Sequence, residues 1–122
     1  LFPYPTLFRS VMVIPKMAFG CLLNPAFREA LEKSGRKQLI LVGMETHVCV
    51  TQTALAALEA GYEVYVLRDA VVSSSKKAYK AGMERMVPAG VAPLTVQMAL
   101  FEMLGRAGTP EFKQLLPLLK DS

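Results

Sequence analysis

Apolar positions in this chain fall into short runs divided by helix-start and helix-stop signals, and their order predicts strands alternating with helices. The first regular run, Val11-Met-Val-Ile14, is closed by Pro15 and reads as a buried strand, with Lys16 just past its carboxyl end. Asn24 before Pro25 is an N-cap and first-turn signal, Leu31 lies four residues beyond Phe27, and Gly35 offers a left-handed stop. Together they predict a helix from Pro25 to Ser34. Residues 38–42, Gln-Leu-Ile-Leu-Val, read as a second buried strand ended by Gly43. Thr46 is the expected cap of a helix over 47–60, with Val50, Ala54 and Leu58 facing inward and Gly61 as its terminator.

Residues 62–67 alternate in polarity, which predicts a third strand near an edge or a polar face, with Asp69 beyond its carboxyl end. Ser73, Ser74 and Ser75 form a turn and cap before a helix over 76–86, halted between Pro88 and Gly90. Residues 91–93 read as a short fourth strand. Thr95 caps an apolar helix through Leu104, and Pro110 opens a last helix interrupted at Pro117.

Strand alternating with helix at this spacing implies an α/β fold, a mostly parallel sheet with helices on both faces. In such folds the site lies outside the carboxyl ends of the strands. No Gly-rich phosphate fingerprint follows any strand, which excludes the usual dinucleotide and P-loop readings. The length of 122 residues sets one domain as the ceiling. Residues 1–10 carry neither periodicity, and at every position but Pro5 they resemble the translation of a common sequencing-adapter oligonucleotide. They are read as a non-native leader, and 11–122 as the domain.

Composition narrows the function classes. With 52% apolar and 20% charged residues the chain is an ordinary globular protein. The net charge of +4 comes from scattered Lys and Arg interleaved with Glu, without a basic stripe, so no nucleic-acid partner is expected. No apolar run reaches the roughly 18 residues of a membrane span, and no signal sequence is recognisable, so a cytoplasmic protein is expected. Two cysteines, Cys21 and Cys49, and one histidine, His47, are too few for a disulfide framework or a multi-histidine metal centre. Free thiols, no metal and no cofactor are expected.

Cys49 sits in the first turn of a helix entered from a strand, where unpaired N–H groups and the helix dipole favour an anion. Such a cysteine can act as a thiolate, and the same N–H groups can hold an oxyanion. The other reading is a small buried apolar residue. Lys16 either points into water or reaches the strand ends where Cys49 sits. Asp69 shares that rim, where a cap or loop hydrogen bond is the favoured reading. A redox pair of Cys21 and Cys49 is a further alternative.

Gly43-Met-Glu-Thr46-His-Val-Cys49-Val50 with Gln52-Thr53-Ala54 resembles the nucleophile motif of the isochorismatase-like cysteine hydrolases, Gly-Val-Glu-Thr-x-x-Cys-Val-x-x-Thr-Ala. Gly61-Tyr-Glu-Val64, Arg68-Asp-Ala70, Phe101-Glu102 and Ala107-Gly-Thr-Pro-Glu-Phe112 also resemble that family, especially its small uncharacterised bacterial hydrolases. The resemblance runs from Val11 to Lys120 and implies a three-layer α/β/α fold whose first strands are missing here. It implies an Asp-Lys-Cys triad with Lys16 and Cys49 in the last two places, and a cis peptide between Met44 and Glu45. It further implies an oxyanion hole from the amides of Glu45 and Cys49, substrate contacts at Phe19, Thr46 and His47, and a homo-oligomer at full length.

The implied reaction is attack on a small amide-like carbonyl, a thioester intermediate and its hydrolysis. The chain departs from the pattern where it matters most. The family's Asp lies in a Val-Ile-Asp-Met-Gln-like segment that does not occur here, and Asp69 matches a different position. Gly20 replaces the serine of Lys-x-x-Phe-Ser, and Gln97 replaces a glutamate. The competing expectation is therefore a catalytically inactive fragment or an interaction module.

Overall fold

The computed structural model describes residues 11–120, so the leader expected at 1–10 lies outside the described residues. Its centre is a parallel three-stranded sheet in the order β1-β2-β3: β1 is Gln38–Met44, β2 is Glu63–Val72 and β3 is Ala92–Leu94. Five α-helices accompany it: α1, Pro25–Ser34; α2, Thr51–Glu59; α3, Lys76–Ala89; α4, Val96–Leu104; and α5, Pro110–Leu119. A 3-10 turn, Cys21–Leu23, precedes α1, and a wide turn, Thr46–Val50, leads into α2.

Local signals explain most helix ends. The Asn24 side chain accepts from the amides of Ala26 and Phe27, and Gly35 takes a φ of 68° to close α1. Ser75, Thr95 and Thr109 cap α3, α4 and α5 in the same way, each accepting from an amide three residues on. Helix α3 runs through Pro88 to Ala89, past the expected stop at 86. A proline in the last turn forgoes only one backbone bond, and the break falls at Gly90, with φ 118°.

The two sheet faces follow from strand alternation. Leu39 pairs with Val64 and Leu41 with Val66, and these point to the face where Val50, Ala54 and Ala57 meet Met86 of α3 and Val91. Ile40, Tyr65 and Leu94 point the other way and line a cleft against Ala99, Glu102 and Met103 of α4. The layers are thus helix, sheet, helix. At the amino end of the sheet, the Glu63 carboxylate accepts from Gln38 Nε2 at 3.1 Å and from Tyr65 Oη at 2.9 Å. That last bond holds the Tyr65 phenol above its ordinary value.

Three strand expectations are corrected. Residues 11–14 are not a strand: Val11, Met12 and Val13 are exposed, and none of the described strands pairs with them, so their backbone has no ladder to join. β1 is not buried on both faces but lies at the edge, leaving Ile40, Val42 and Met44 exposed. The alternating strand β2, expected near an edge or a polar face, is central in the sheet, and it continues five residues beyond Leu67, so that Asp69 lies within it.

Candidate active site

Beyond the carboxyl end of β1 the chain turns through Thr46–Val50 into α2. The amide of Val50 donates to the Glu45 carbonyl at 3.2 Å, and that of Thr51 to the Thr46 carbonyl, so the turn closes five residues apart, one wider than an α-helix. Thr46 is not the helix cap. The wide turn is capped at Glu45 and α2 at Val50, neither with a side-chain cap bond, while the Thr46 side chain is buried with no hydrogen-bond partner for its hydroxyl. Instead, Thr51 Oγ1 donates to the Thr46 carbonyl at 2.6 Å, occupying an acceptor the wide turn presents. The peptide between Met44 and Glu45 is cis.

Cys49 is carried on this turn, partly exposed. Lys16 Nζ lies 3.6 Å from its Sγ and donates to the carbonyls of Ala18 at 2.9 Å and Phe19 at 3.0 Å. The two carbonyls fix the ammonium at the thiol, which resolves the choice between water and rim for this lysine. The loop carrying Lys16 is itself anchored: Asn24 Nδ2 donates to the Pro15 carbonyl at 2.9 Å, and the Cys21 amide donates to Thr53 Oγ1 at 3.0 Å. Gly20 is buried against Gln52, where a Cβ would stand 3.3 Å from the Gln52 Cβ. Lys16, Cys21, Cys49 and Thr53 line a cleft of about 130 Å³ with Leu41, Val42, Met44 and Val50.

The remaining expected site residues lie around that cleft and not in its wall. Phe19 is exposed on the Lys16 loop, and Thr46 is fully buried. The His47 ring has Nδ1 3.0 Å from Ser73 Oγ and Nε2 3.7 Å from Glu45 Oε2. Asp69 Oδ1 accepts from the Val96 amide at 2.9 Å, a cap for α4. Among the described residues no carboxylate bonds to Lys16 or Cys49, and no three His, Cys, Asp or Glu side chains gather as a metal site.

Two residues of the site escape sequence reading. Gly82 of α3 packs on the turn that carries Cys49 so closely that a Cβ there would lie 2.9 Å from the His47 Cα and 3.0 Å from its nitrogen. Its only signal is a glycine inside a helical pattern. Ser73 was read only as part of a turn.

The isochorismatase domain model matches residues 3–98. The chain belongs to the isochorismatase family. Among relatives, it is 39% identical over 113 residues to the secreted isochorismatase effector Isc1 of Phytophthora sojae, a match covering 92% of this chain and 54% of that protein. The chain thus spans about half the length of that relative. Solved structures agree on the isochorismatase-like hydrolase fold. The Escherichia coli YcaC gene product, described as an octameric hydrolase of unknown specificity, superposes with a TM-score of 0.80 at 27% identity, over 99% of this chain and 63% of that one. YcaC from Pseudomonas aeruginosa, solved with covalent acrylamide, gives 0.72 at 32% identity over 78% of this chain and 48% of that one. Within this isochorismatase-family chain, no described helix is long and apolar enough to cross a membrane.

Proposed function

We propose that this isochorismatase-family chain carries the nucleophile half of a cysteine hydrolase acting on small amides. The observation that carries the reading is the Lys16 ammonium held 3.6 Å from Cys49 Sγ by two backbone carbonyls. A cation fixed there stabilises negative charge on sulfur.

In the proposed reaction Cys49 Sγ attacks the amide carbon and the carbonyl π electrons move to oxygen, where the amides of Glu45 and Cys49 stabilise the oxyanion. The C–N bond then breaks, the nitrogen leaves as the protonated amine or ammonia, and a Cys49 thioester remains. Water hydrolyses the thioester to the acid and the free thiol. A carboxylate is the proposed proton carrier for both steps; among the described residues none bonds to Lys16 or Cys49. The cleft's apolar walls at Leu41, Val42 and Met44 favour a small apolar acyl group, and Phe19 is a further proposed substrate contact. The free thiols Cys21 and Cys49 suit a reducing, cytoplasmic compartment, and a homo-oligomer is proposed for the full-length protein.

The same missing carboxylate favours a second reading, that these 122 residues alone hold a reactive thiol without turning over. Ammonia release from a panel of small primary amides separates the two. Turnover abolished by Cys49→Ala and Lys16→Met establishes the hydrolase; absence of turnover with a still reactive Cys49 establishes the second reading. Turnover surviving Cys49→Ala overturns the first.

A further inference from the structure

We propose that Ser73 is a positioning residue for the oxyanion hole, acting through the His47 ring on Glu45. This rests on the reading of Cys49 and the Glu45 amide given above.

Ser73 is the first residue after β2, and its Oγ lies 3.0 Å from His47 Nδ1. The other ring nitrogen, Nε2, lies 3.7 Å from the Glu45 carboxylate, with the His47 and Glu45 side chains 29% and 38% exposed. The ring therefore spans from the exit of one strand to the residue that follows the neighbouring strand. Its backbone has no slack of its own, because α3 presses on it at Gly82, where even a methyl group would come within 2.9 Å of the His47 Cα. Thr46, between the two tethered residues, is fully buried. With the backbone pinned from one side and the ring held by Ser73 on the other, the Glu45 side chain meets a fixed partner. In the proposal this 3.7 Å contact limits the orientation of the Glu45 amide as well.

An oxyanion donor has to be aimed before charge develops, and a misplacement of about 1 Å can cost as much as a hundredfold. Hydrogen bonds that orient a site group from behind are one way a fold secures such aim.

Two alkylating probes separate the oxyanion hole from the thiol. When Cys49 Sγ adds to the β-carbon of acrylamide, the π electrons move to the carbonyl oxygen, and the resulting enolate takes a proton from water at the α-carbon. When it displaces iodide from iodoacetamide, no charge builds on the carbonyl. The experiment measures second-order rates for both probes at Cys49, by peptide mapping, in the unsubstituted chain, Ser73→Ala and Ser73→Thr. The expected result is an acrylamide rate about tenfold lower in Ser73→Ala, an unchanged iodoacetamide rate, and recovery in Ser73→Thr, which restores the hydroxyl. An unchanged acrylamide rate in Ser73→Ala overturns the proposal. So does an equal fall with both probes, which marks a merely structural role. A Cys49 inert to both probes in the unsubstituted chain overturns the underlying reading, and the tether with it.

Discussion

At the scale of single residues, the site depends on two placements that pull in different directions. Lys16 is a surface cation turned inward by the carbonyls of Ala18 and Phe19, and its effect on Cys49 is electrostatic. Removing it with Lys16→Met is expected to slow iodoacetamide alkylation of Cys49 at neutral pH about tenfold, with little change in melting temperature. Gly82 acts by absence of volume. Gly82→Ala places a methyl group within 3 Å of the turn backbone, and the displacement is expected to cost about 1–3 kcal/mol of stability and to slow Cys49 alkylation as well. Thermal melts beside alkylation rates check both. A Gly82→Ala protein with unsubstituted stability would show that α3 and the turn are not in contact.

At the scale of elements, helix ends were legible in the sequence because their signals are local. Asn24-Pro25, Thr95 and Gly35 each act within three residues of where they stand, and each does in the structure what its chemistry predicts. Strand environment was not legible, because it is set by neighbours far along the chain. Residues 38–42 have the apolar content of a buried strand but lie at an edge, and the alternating residues 63–67 lie in the middle. The turn that carries Cys49 is intermediate: its motif was readable, but its wide closure, with the Thr51 hydroxyl on the Thr46 carbonyl, was not. Ser73 and Gly82 reach the turn only through folding, so no local pattern marks them.

Asp69 is the test case for element docking. Its carboxylate caps α4 from within β2, joining a helix to a strand 27 residues earlier in the chain. Asp69→Ala is expected to lower stability by about 1 kcal/mol without changing Cys49 reactivity, which denaturant melts and alkylation can show together. A loss of thiol reactivity in Asp69→Ala at constant stability would instead give that carboxylate a chemical role.

At the scale of the whole molecule, one face of the sheet is half covered. Helix α4 packs over β2 and β3, while Ile40, Val42 and Met44 on β1, with Val72 beside them, remain exposed. An apolar face on an edge strand is a surface on which chains associate. The isolated chain is expected to associate with rising concentration, and Val42→Lys to shift it toward monomer in sedimentation velocity. A monomer at every concentration would remove that expectation. The cleft at Cys49 opens beside this same strand, since Leu41, Val42 and Met44 line it.

Of the two thiols that line one cleft, Cys49 and not Cys21 is the proposed nucleophile. Competitive alkylation of the native chain with limiting acrylamide, followed by peptide mapping, tests it most directly. The first adduct is expected on Cys49 at least tenfold faster than on Cys21, the ratio expected of a thiol with a fixed cation beside it, and Lys16→Met is expected to erase most of the difference. Equal labelling of the two thiols, or faster labelling of Cys21, would contradict it.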